Sequence, residues 1–368
     1  MVNNALGLIT TNYTNQNFGK LAQSRPIATI PFGGRYRLVD FPLSNMVHSG
    51  IRSVGITTAH YYRSIIDHLG AGKEWSLNRK NGGLFILPGS NYGMKRFEGK
   101  FLLRDFINNR PYLSRATEDL VIVSASNKIF NMDFNELVEH HRQSGAQITL
   151  LYKEIPDAHM KRGPFLELTQ EGNLVSIERE SKGHAAWFMD CFAINICDLL
   201  SLLDWYETMD YMDMTDIFME NITRMRISSY PFSGYVGTVD SPYDYMQCSL
   251  DLLKPEIRNE LFNSDKKIFT KVQDAPPTKY LAGCHVSNSF ISSGSIIEGT
   301  VENSLLFRNI RVEKGAVLKN CVIMQRGRIA SGASLENVIC DKFVSISENA
   351  RLSGNRYKPL VIGKGEAL

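Results

Sequence analysis

Two short sequence units alternate beyond about residue 283, and the last three copies of each start 17 residues apart. The units read V-x-N-S-x-I and I-x-x-G-A-x-L, with small changes between copies; the first starts at Val286, Val301, Leu318 and Leu335, and the second at Val312, Ile329 and Ile346. An aliphatic residue at about every sixth position, with small residues between, is typical of a parallel β-helix. A chance run of short strands in a sandwich is the alternative, but two interleaved units in one register favour the β-helix. Such a domain has flat faces and open ends, which typically dock against a neighbour or a second subunit.

The chain before this repeat alternates short apolar runs with helical patterns. The runs Ala5–Ile9, Ile51–Thr57, Asp119–Ala125 and Gln147–Tyr152 are typical of buried strands. Apolar strands separated by helices predict an α/β domain with a mostly parallel sheet that is covered on both faces. Phe165–Ile177, with a Gly-Asn turn in its middle, predicts an added hairpin.

A length of 368 residues favours two domains. We expect an α/β domain over residues 1–245, a helical and extended linker over 246–282, and the β-helix over 283–368. The linker would begin with a helix that ends at Pro255 and continue through an extended segment around Pro276.

Charge and cysteine usage exclude several classes of function. The chain has 41 basic and 38 acidic residues, a balance that predicts neither a nucleic-acid partner nor a membrane surface. Six dispersed cysteines and the absence of a signal sequence favour reduced thiols and a cytoplasmic protein. The eight histidines lack paired-ligand spacing, so no resident metal is expected.

The most specific segment is Pro31–Asn45, PFGGRYRLVDFPLSN. It closely resembles the sugar-nucleotide pyrophosphorylases, in particular the glucose-1-phosphate adenylyltransferase (ADP-glucose pyrophosphorylase) family, and the similarity extends through Val236–Ser241 and the repeat region. The resemblance implies a nucleotidyltransferase-type, Rossmann-like mixed-sheet domain, a left-handed β-helix, and tetramers that metabolites control. The stretch Leu69–Pro88 is most similar to the auxiliary GlgD-type subunits, which the family pairs with a catalytic subunit for glycogen synthesis.

The chain departs from the family pattern at the positions that bind the nucleotide. The family's first loop, GGxGxRLxPLT, matches about Asn12–Ala22, which lacks the glycine pair and the catalytic arginine. Ile27 stands where RAKPAV carries the substrate lysine. Asn127 stands at the metal-binding aspartate of LAGDHIY, and Tyr235 at the second metal aspartate, in WxDVGT.

The sugar-phosphate positions are also changed. The family motif FxEKP corresponds to Ile177–Glu180, and a serine that follows it in the family corresponds to Phe188. Nucleotidyl transfer needs Mg²⁺ held by carboxylates and cations on the leaving pyrophosphate. These changes therefore predict a regulatory subunit with little or no catalysis and no cofactor of its own, Mg²⁺ belonging to the catalytic partner.

Arg25 and Arg37 keep positions that contribute, in the family, to an effector site for phosphorylated metabolites. The alternative is that both are ordinary surface or ion-paired arginines. One other function stays open, an active sugar-phosphate nucleotidyltransferase with a rearranged site. A β-helix acyltransferase would need a catalytic histidine on the β-helix, and it is set aside because His285 alone is available, before the first clear coil.

Overall fold

The computed structural model describes residues 4–11, 13, 16–90, 99–156, 163–178, 180, 183, 185–209 and 212–368. They form two compact units, each made of two chain segments. The first unit comprises Met1–Thr14 and Phe41–Val236, and the second comprises Asn15–Asp40 and Gly237–Leu368.

The secondary structure is numbered here in chain order. The helices are α1 Asp40–His48, α2 Tyr62–Leu69, α3 Leu103–Asn108, α4 Arg110–Ser114, α5 Phe134–Ser144, α6 Ile196–Trp205, α7 Met214–Glu220, α8 Pro242–Asp251 and α9 Pro255–Phe262, with 3₁₀ turns at Gln16–Ala22, Ile27–Thr29 and Lys73–Trp75. The strands are β1 Ala5–Thr10, β2 Pro31–Phe32, β3 Tyr36–Arg37, β4 Ser53–Thr58, β5 Gly83–Pro88, β6 Leu120–Ala125, β7 Lys128–Ile129, β8 Ile148–Glu154, β9 Phe165–Leu168, β10 Leu174–Glu178, β11 Ala186–Asn195, β12 Ile227–Pro231, β13 Gly237–Thr238, β14 Lys279–Tyr280, β15 His285–Ser287, β16 Phe290–Ile291, β17 Ile296–Ile297, β18 Thr300–Glu302, β19 Leu305–Leu306, β20 Arg311–Val312, β21 Val317–Lys319, β22 Val322–Ile323, β23 Arg328–Ile329, β24 Ser334–Glu336, β25 Val338–Cys340, β26 Ser345–Ile346, β27 Arg351–Ser353 and β28 Leu360–Ile362.

The first unit is built on a mixed sheet. Its main path runs β10-β9-β11-β6-β1-β4-β5, and β8 pairs with β11 and with β12. β1, β4, β5 and β6 are parallel, whereas β11 is antiparallel to β6. This arrangement confirms the predicted Rossmann-like mixed sheet. Strands β1, β4 and β6 have six residues each, and every one of these residues is buried, as a sheet covered on both faces requires.

Close packing at β1 explains one glycine of this sheet. A Cβ added to Gly7 would lie 2.6 Å from Met46 Sδ on α1, so any side chain at this position would displace the Met46 side chain. The predicted hairpin is also present as antiparallel β9 and β10, and Gly172 in its turn has φ of +77°. Positive φ is readily adopted by glycine.

The repeat region of the second unit is a left-handed parallel β-helix, as predicted. Three sheets of five strands each run β14-β17-β20-β23-β26, β15-β18-β21-β24-β27 and β16-β19-β22-β25-β28, and all neighbours are parallel. Thr300 pairs with Val317, which pairs with Ser334, so one coil takes 17 residues. The repeated aliphatic side chains point inward and form one continuous core of buried Val, Leu and Ile.

Asparagines hold one corner of the coils. Asn288, Asn303, Asn320 and Asn337 all have positive φ, a conformation that asparagine tolerates better than most side chains. Their amides stack from coil to coil: Asn288 Nδ2 donates to Asn303 Oδ1 at 2.7 Å, and Asn320 Nδ2 to Asn337 Oδ1 at 3.3 Å. The asparagine of the V-x-N-S-x-I unit is therefore a corner residue.

Residues Asn15–Asp40, which lead into α1, belong to the second unit. β2 and β3 form a short antiparallel pair, and the Tyr36 ring stacks on Phe262 of α9 with centroids 4.8 Å apart. The Tyr245 hydroxyl of α8 donates to the Pro31 carbonyl at 2.7 Å. Helix α9 was not predicted; it begins at Pro255, which takes a first-turn position where its missing N–H costs nothing.

No helix in the described part of the chain is long and apolar enough to cross a membrane.

Candidate functional site

The carboxyl ends of β1 and β6 form the place where an α/β sheet of this kind binds its ligand. The two strands are neighbours, with Thr10 opposite Ala125. Beyond them, Tyr13 is buried, and its hydroxyl lies 2.7 Å from the Ser126 hydroxyl. A tyrosine side chain thus bridges the two strand ends. Asn12, Thr14 and Asn15, which belong to the first loop of the sequence comparison, lie outside the described residues.

Asn127 follows at once and is completely buried. The next residue, Lys128, is also buried, and its Nζ lies 3.0 Å from Asp190 Oδ2 on β11. The same ammonium lies 4.0 Å from the ring centroid of Trp187, a cation–π distance. Lys100 Nζ donates to the same Asp190 oxygen at 2.8 Å. We call Lys100, Lys128 and Asp190 the ion triad.

The ion triad carries two positive charges around one carboxylate. Burial by itself raises the pKa of Asp190, but the ammonium groups of Lys100 and Lys128 outweigh burial and hold this pKa below its usual value. Asp190 has φ of +49°, a left-handed conformation that few non-glycine residues adopt. The ionised carboxylate and its two cations therefore form a fixed part of the interior.

Of the remaining predicted positions of the first unit, Phe188 and Tyr235 carry no charge. Phe188 is fully buried on β11, with its ring 6.5 Å from that of Phe101. Tyr235 is half-buried after β12, in a segment whose Phe232 ring lies 5.9 Å from Phe130. Ile177 and Glu178 lie on β10, whereas Arg179 of the same motif lies outside the described residues. Ile27 belongs to the second unit, buried in the 3₁₀ turn Ile27–Thr29.

These residues do not fit a divalent metal. Mg²⁺ prefers carboxylate oxygens in near-octahedral geometry, whereas Asn127 offers a neutral amide and Tyr235 a phenol. The Asp190 carboxylate, which pairs with Lys128 next to Asn127 in the sequence, already binds two ammonium groups. Among the described residues, no group of three or more His, Cys, Asp and Glu side chains is arranged to hold a metal ion.

The second unit contains a separate cluster of charges around Arg25. The Arg25 guanidinium is buried and forms an ion pair with Asp341, which is fully buried. Arg37 is half-buried, and its backbone N–H donates to the Asp40 carboxylate at 2.9 Å, whereas Arg35 is exposed. Thus the two predicted effector residues are not alike: Arg25 is an interior ion-paired group, and Arg37 is partly open to solvent.

The charges of Arg25 and Arg37 both act on the ammonium of Lys342. Burial lowers its pKa to about 7, with further lowering by Arg37 and Arg25; Asp341 opposes the shift, and Lys364 adds to it. Burial is the largest cause of this low pKa, and the neighbouring cations add to it. We call Arg25, Arg37, Asp341 and Lys342 the basic cluster.

Comparison with known proteins gives the family. Residues 20–162 match the nucleotidyl transferase family model, and residues 276–358 match the GlmU-like C-terminal hexapeptide model. The chain is 35% identical over 364 residues to the glycogen biosynthesis protein GlgD of Bacillus subtilis (strain 168), covering 99% of this chain and 96% of that protein. The chain belongs to the GlgD family of glycogen biosynthesis proteins. It is 34% identical to the GlgD of Geobacillus stearothermophilus over 99% of this chain and 97% of that protein.

Enzymes are also among the relatives of this GlgD-family chain. The glucose-1-phosphate adenylyltransferase of Clostridium perfringens (strain 13 / Type A) is 27% identical over 380 aligned residues, which cover 99% of this chain and 95% of that protein. The resemblance to the adenylyltransferase family, stated from the motifs, is thereby confirmed.

Sequence reasoning missed Tyr13, the ion triad, Asp341 and Lys342. One signal was available for Asp190, because it is a lone carboxylate within the apolar run AWFMDCFAIN, where a charge needs a partner. A second signal marks Asp341, which occupies the coil position that Phe307 and Met324 fill in the two preceding coils.

Proposed function

We propose that this chain is a non-catalytic, or barely catalytic, regulatory subunit of ADP-glucose pyrophosphorylase. In this proposal, it assembles with a catalytic glucose-1-phosphate adenylyltransferase, which makes ADP-glucose from ATP and glucose 1-phosphate for glycogen synthesis. The proposal rests on the residues that lie at the carboxyl ends of β1 and β6 in the first unit. There, a Tyr13–Ser126 hydrogen bond and the neutral Asn127 occupy the region that must hold phosphates and metal in an active enzyme.

The chemistry of nucleotidyl transfer explains why this arrangement matters. The reaction develops negative charge on the leaving pyrophosphate, and enzymes offset that charge with Mg²⁺ and positioned cations. Tyr13 brings a phenol to this point, and Lys128 is already bound to Asp190 inside the protein. Removal of several contacts that act as a unit commonly lowers the rate by ~10⁴-fold or more.

Measurement of ADP-glucose formation by the purified chain tests this part of the proposal. With saturating ATP, glucose 1-phosphate and Mg²⁺, we expect no product above the enzyme-free background. A typical enzyme turns over at about 10 s⁻¹, and a rate for the isolated chain within tenfold of this value would refute the proposal. That outcome would instead favour an active nucleotidyltransferase with a rearranged site.

Partnering is supported by the second unit and by the family. Two of the β-helix sheets end at strands with one neighbouring strand among the described residues, β27 and β28, whereas Ser345 of β26 is bridged by Ala367. Val317, Phe343 and Leu368 are apolar side chains that the second unit leaves exposed. Surfaces of this kind are covered in oligomers, whose specific interfaces usually bury more than ~1,000 Å².

Light scattering tests the partnering directly. We expect the chain, mixed with a catalytic homologue from the same source, to elute as one hetero-oligomer, most simply a tetramer. Two independent species at micromolar concentration would contradict this expectation. Each protein run alone is the control for self-association.

We further propose that Arg25 and Arg37 form part of a site for a phosphorylated metabolite. Guanidinium groups bind phosphate through charge-assisted hydrogen bonds that contribute about 1.5–3 kcal/mol each. Binding here would bias the arrangement of the assembly, and the catalytic partner would respond through the shared interface. Replacing each arginine by alanine, in a complex with an unmodified partner, should weaken the effector response without altering the partner's own active site.

A further inference from the structure

The ion triad places charge beyond the carboxyl end of β6, where a sheet of this type binds its ligands. Lys128 is three residues beyond Ala125, the last residue of β6, and its side chain is 1% exposed. The side chain of Lys100, by contrast, is 17% exposed. One ammonium of the triad is therefore enclosed, whereas the other lies on the side from which an ion in solution approaches.

The two ammonium groups of the triad converge on one oxygen atom. Lys100 Nζ lies 2.8 Å, and Lys128 Nζ 3.0 Å, from the same atom, Asp190 Oδ2. The Trp187 ring, 4.0 Å from the Lys128 ammonium, adds a cation–π contact that helps to hold this ammonium in place. Two cations that meet at one point form a binding position for an anionic oxygen, whether a carboxylate or a phosphate supplies it.

The backbone of β11 departs from a regular strand where it carries Asp190. The pairing of β11 with β8 shifts register between Phe188 and Phe192, and Asp190 within this stretch has φ of +49°. Irregularities of this kind redirect side chains next to functional sites, and a positive φ is unfavourable for most residues other than glycine. Stability alone does not account for the arrangement, because apolar residues commonly replace a buried ion cluster without loss of stability.

We infer that Asp190 is a built-in anion: its carboxylate occupies a binding position for a phosphate group at Lys100 and Lys128, and thereby excludes phosphate-bearing molecules in solution. This inference rests on the proposed function, in which the chain needs no substrate of its own, and adds that an internal contact closes the first unit to one. A phosphate from solution must displace a carboxylate that the fold holds in place, so the intact chain should bind none here. Removal of the carboxylate should open the position.

Asp190→Gly is the variant that opens this position. Glycine readily adopts the positive φ found there, and the substitution deletes a methylene group and a carboxylate. Acetate supplies the same carboxylate on a methyl group, whereas inorganic phosphate is tetrahedral and larger, so the two probes differ in the space that they need. All three tryptophans, Trp75, Trp187 and Trp205, lie in the first unit, so tryptophan fluorescence reports the unfolding of this unit rather than of the second.

We expect acetate and phosphate each to raise the melting temperature of Asp190→Gly at constant ionic strength, by roughly 5–10 °C at a hundredfold excess over the dissociation constant. Neither anion should shift the melting temperature of the unmodified chain. Asp190→Asn loses the same charge but keeps the position filled, so it should not respond either. Lys128→Met/Asp190→Gly opens the position without one of its cations and should need about tenfold more anion, or more than that, for the same shift.

Three results would overturn the inference. An equal shift in the unmodified chain would mean that the carboxylate excludes nothing. A response of Asp190→Gly to acetate but not to phosphate would indicate a carboxylate-sized gap left by an ordinary structural ion pair. Failure of Asp190→Gly to fold in buffers that contain either anion would mean that no external anion replaces the carboxylate. None of these results bears on catalysis, which the assay of ADP-glucose formation tests separately.

Discussion

Replacing Asp190 with asparagine should destabilise the first unit strongly. The substitution preserves shape, and asparagine tolerates the positive φ of this position, so the main change is the loss of one negative charge. The fully buried Lys128 and the partly buried Lys100 would then both lose the negative charge of this carboxylate. At an effective dielectric constant of about 20, opposite charges at the 2.8 Å and 3.0 Å of these two contacts attract by about 6 kcal/mol each before the cost of desolvation.

The net effect is smaller than this Coulomb energy because burial of the ions is itself unfavourable. Breaking a buried pair by removing one partner typically costs 3–5 kcal/mol, and we expect about this loss in the free energy of unfolding for Asp190→Asn. The difference in the free energy of unfolding between this variant and the unmodified chain should shrink at acid pH, because Asp190 then becomes protonated. The folded-state pKa of Asp190 lies below the usual value of 3.8, so this change occurs at pH values below 3.8.

Urea denaturation at pH 7, followed by tryptophan fluorescence, measures this loss. The matched control is Asp204→Asn, the same change at an exposed ion pair with Arg110, which should leave the free energy of unfolding almost unchanged. The double variant Lys128→Met/Asp190→Asn removes the stranded ammonium as well and should recover about half or more of the lost stability. An Asp190→Asn loss within 0.5 kcal/mol of the Asp204→Asn loss would refute the reasoning.

Three further changes give distinct outcomes. Lys342→Met should stabilise the chain at pH 6, because the folded state disfavours the ammonium. The pKa lowered from 10.5 to about 7 sets an upper limit of about 5 kcal/mol on the gain in the free energy of unfolding, and partial exposure reduces it to about 1–2 kcal/mol. The gain should fade above pH 7 and vanish near pH 10.5, as thermal melts across this range will record. Asp341→Asn should lower the free energy of unfolding by about 3–5 kcal/mol, since Arg25 would remain buried without its carboxylate. Restoring both aspartates, Asn127→Asp with Tyr235→Asp, should not create adenylyltransferase activity in the isolated chain, because the first loop still lacks its phosphate-binding residues.

The periodic parts of the fold were predictable from the sequence. The aliphatic repeat of the β-helix depends on side chains that all point into one core, so each coil carries the same pattern. The buried strands β1, β4 and β6 follow from short, mostly apolar runs. Helix α9 was not predicted because a proline after a helix usually indicates that the helix has ended. Proline also favours the first turn of a new helix, and Pro255 takes that position here.

The charged sites were much less predictable. The substituted positions Asn127 and Tyr235 are visible because they interrupt a family motif. The ion triad joins residues that lie up to 90 positions apart in the sequence, Lys100 and Asp190, and no local pattern pairs them. The Arg25–Asp341 pair spans 316 positions and arises only because the N-terminal segment packs within the second unit.

We propose that this chain does little or no adenylyl transfer, alone or in an assembly. The most direct test uses a complex in which the metal-binding aspartates of the catalytic partner have been replaced, so that any product must come from this chain. We expect no ADP-glucose above background from that complex, and full activity when the same chain is paired with an unmodified partner. Turnover in the disabled complex within tenfold of about 10 s⁻¹ would contradict it.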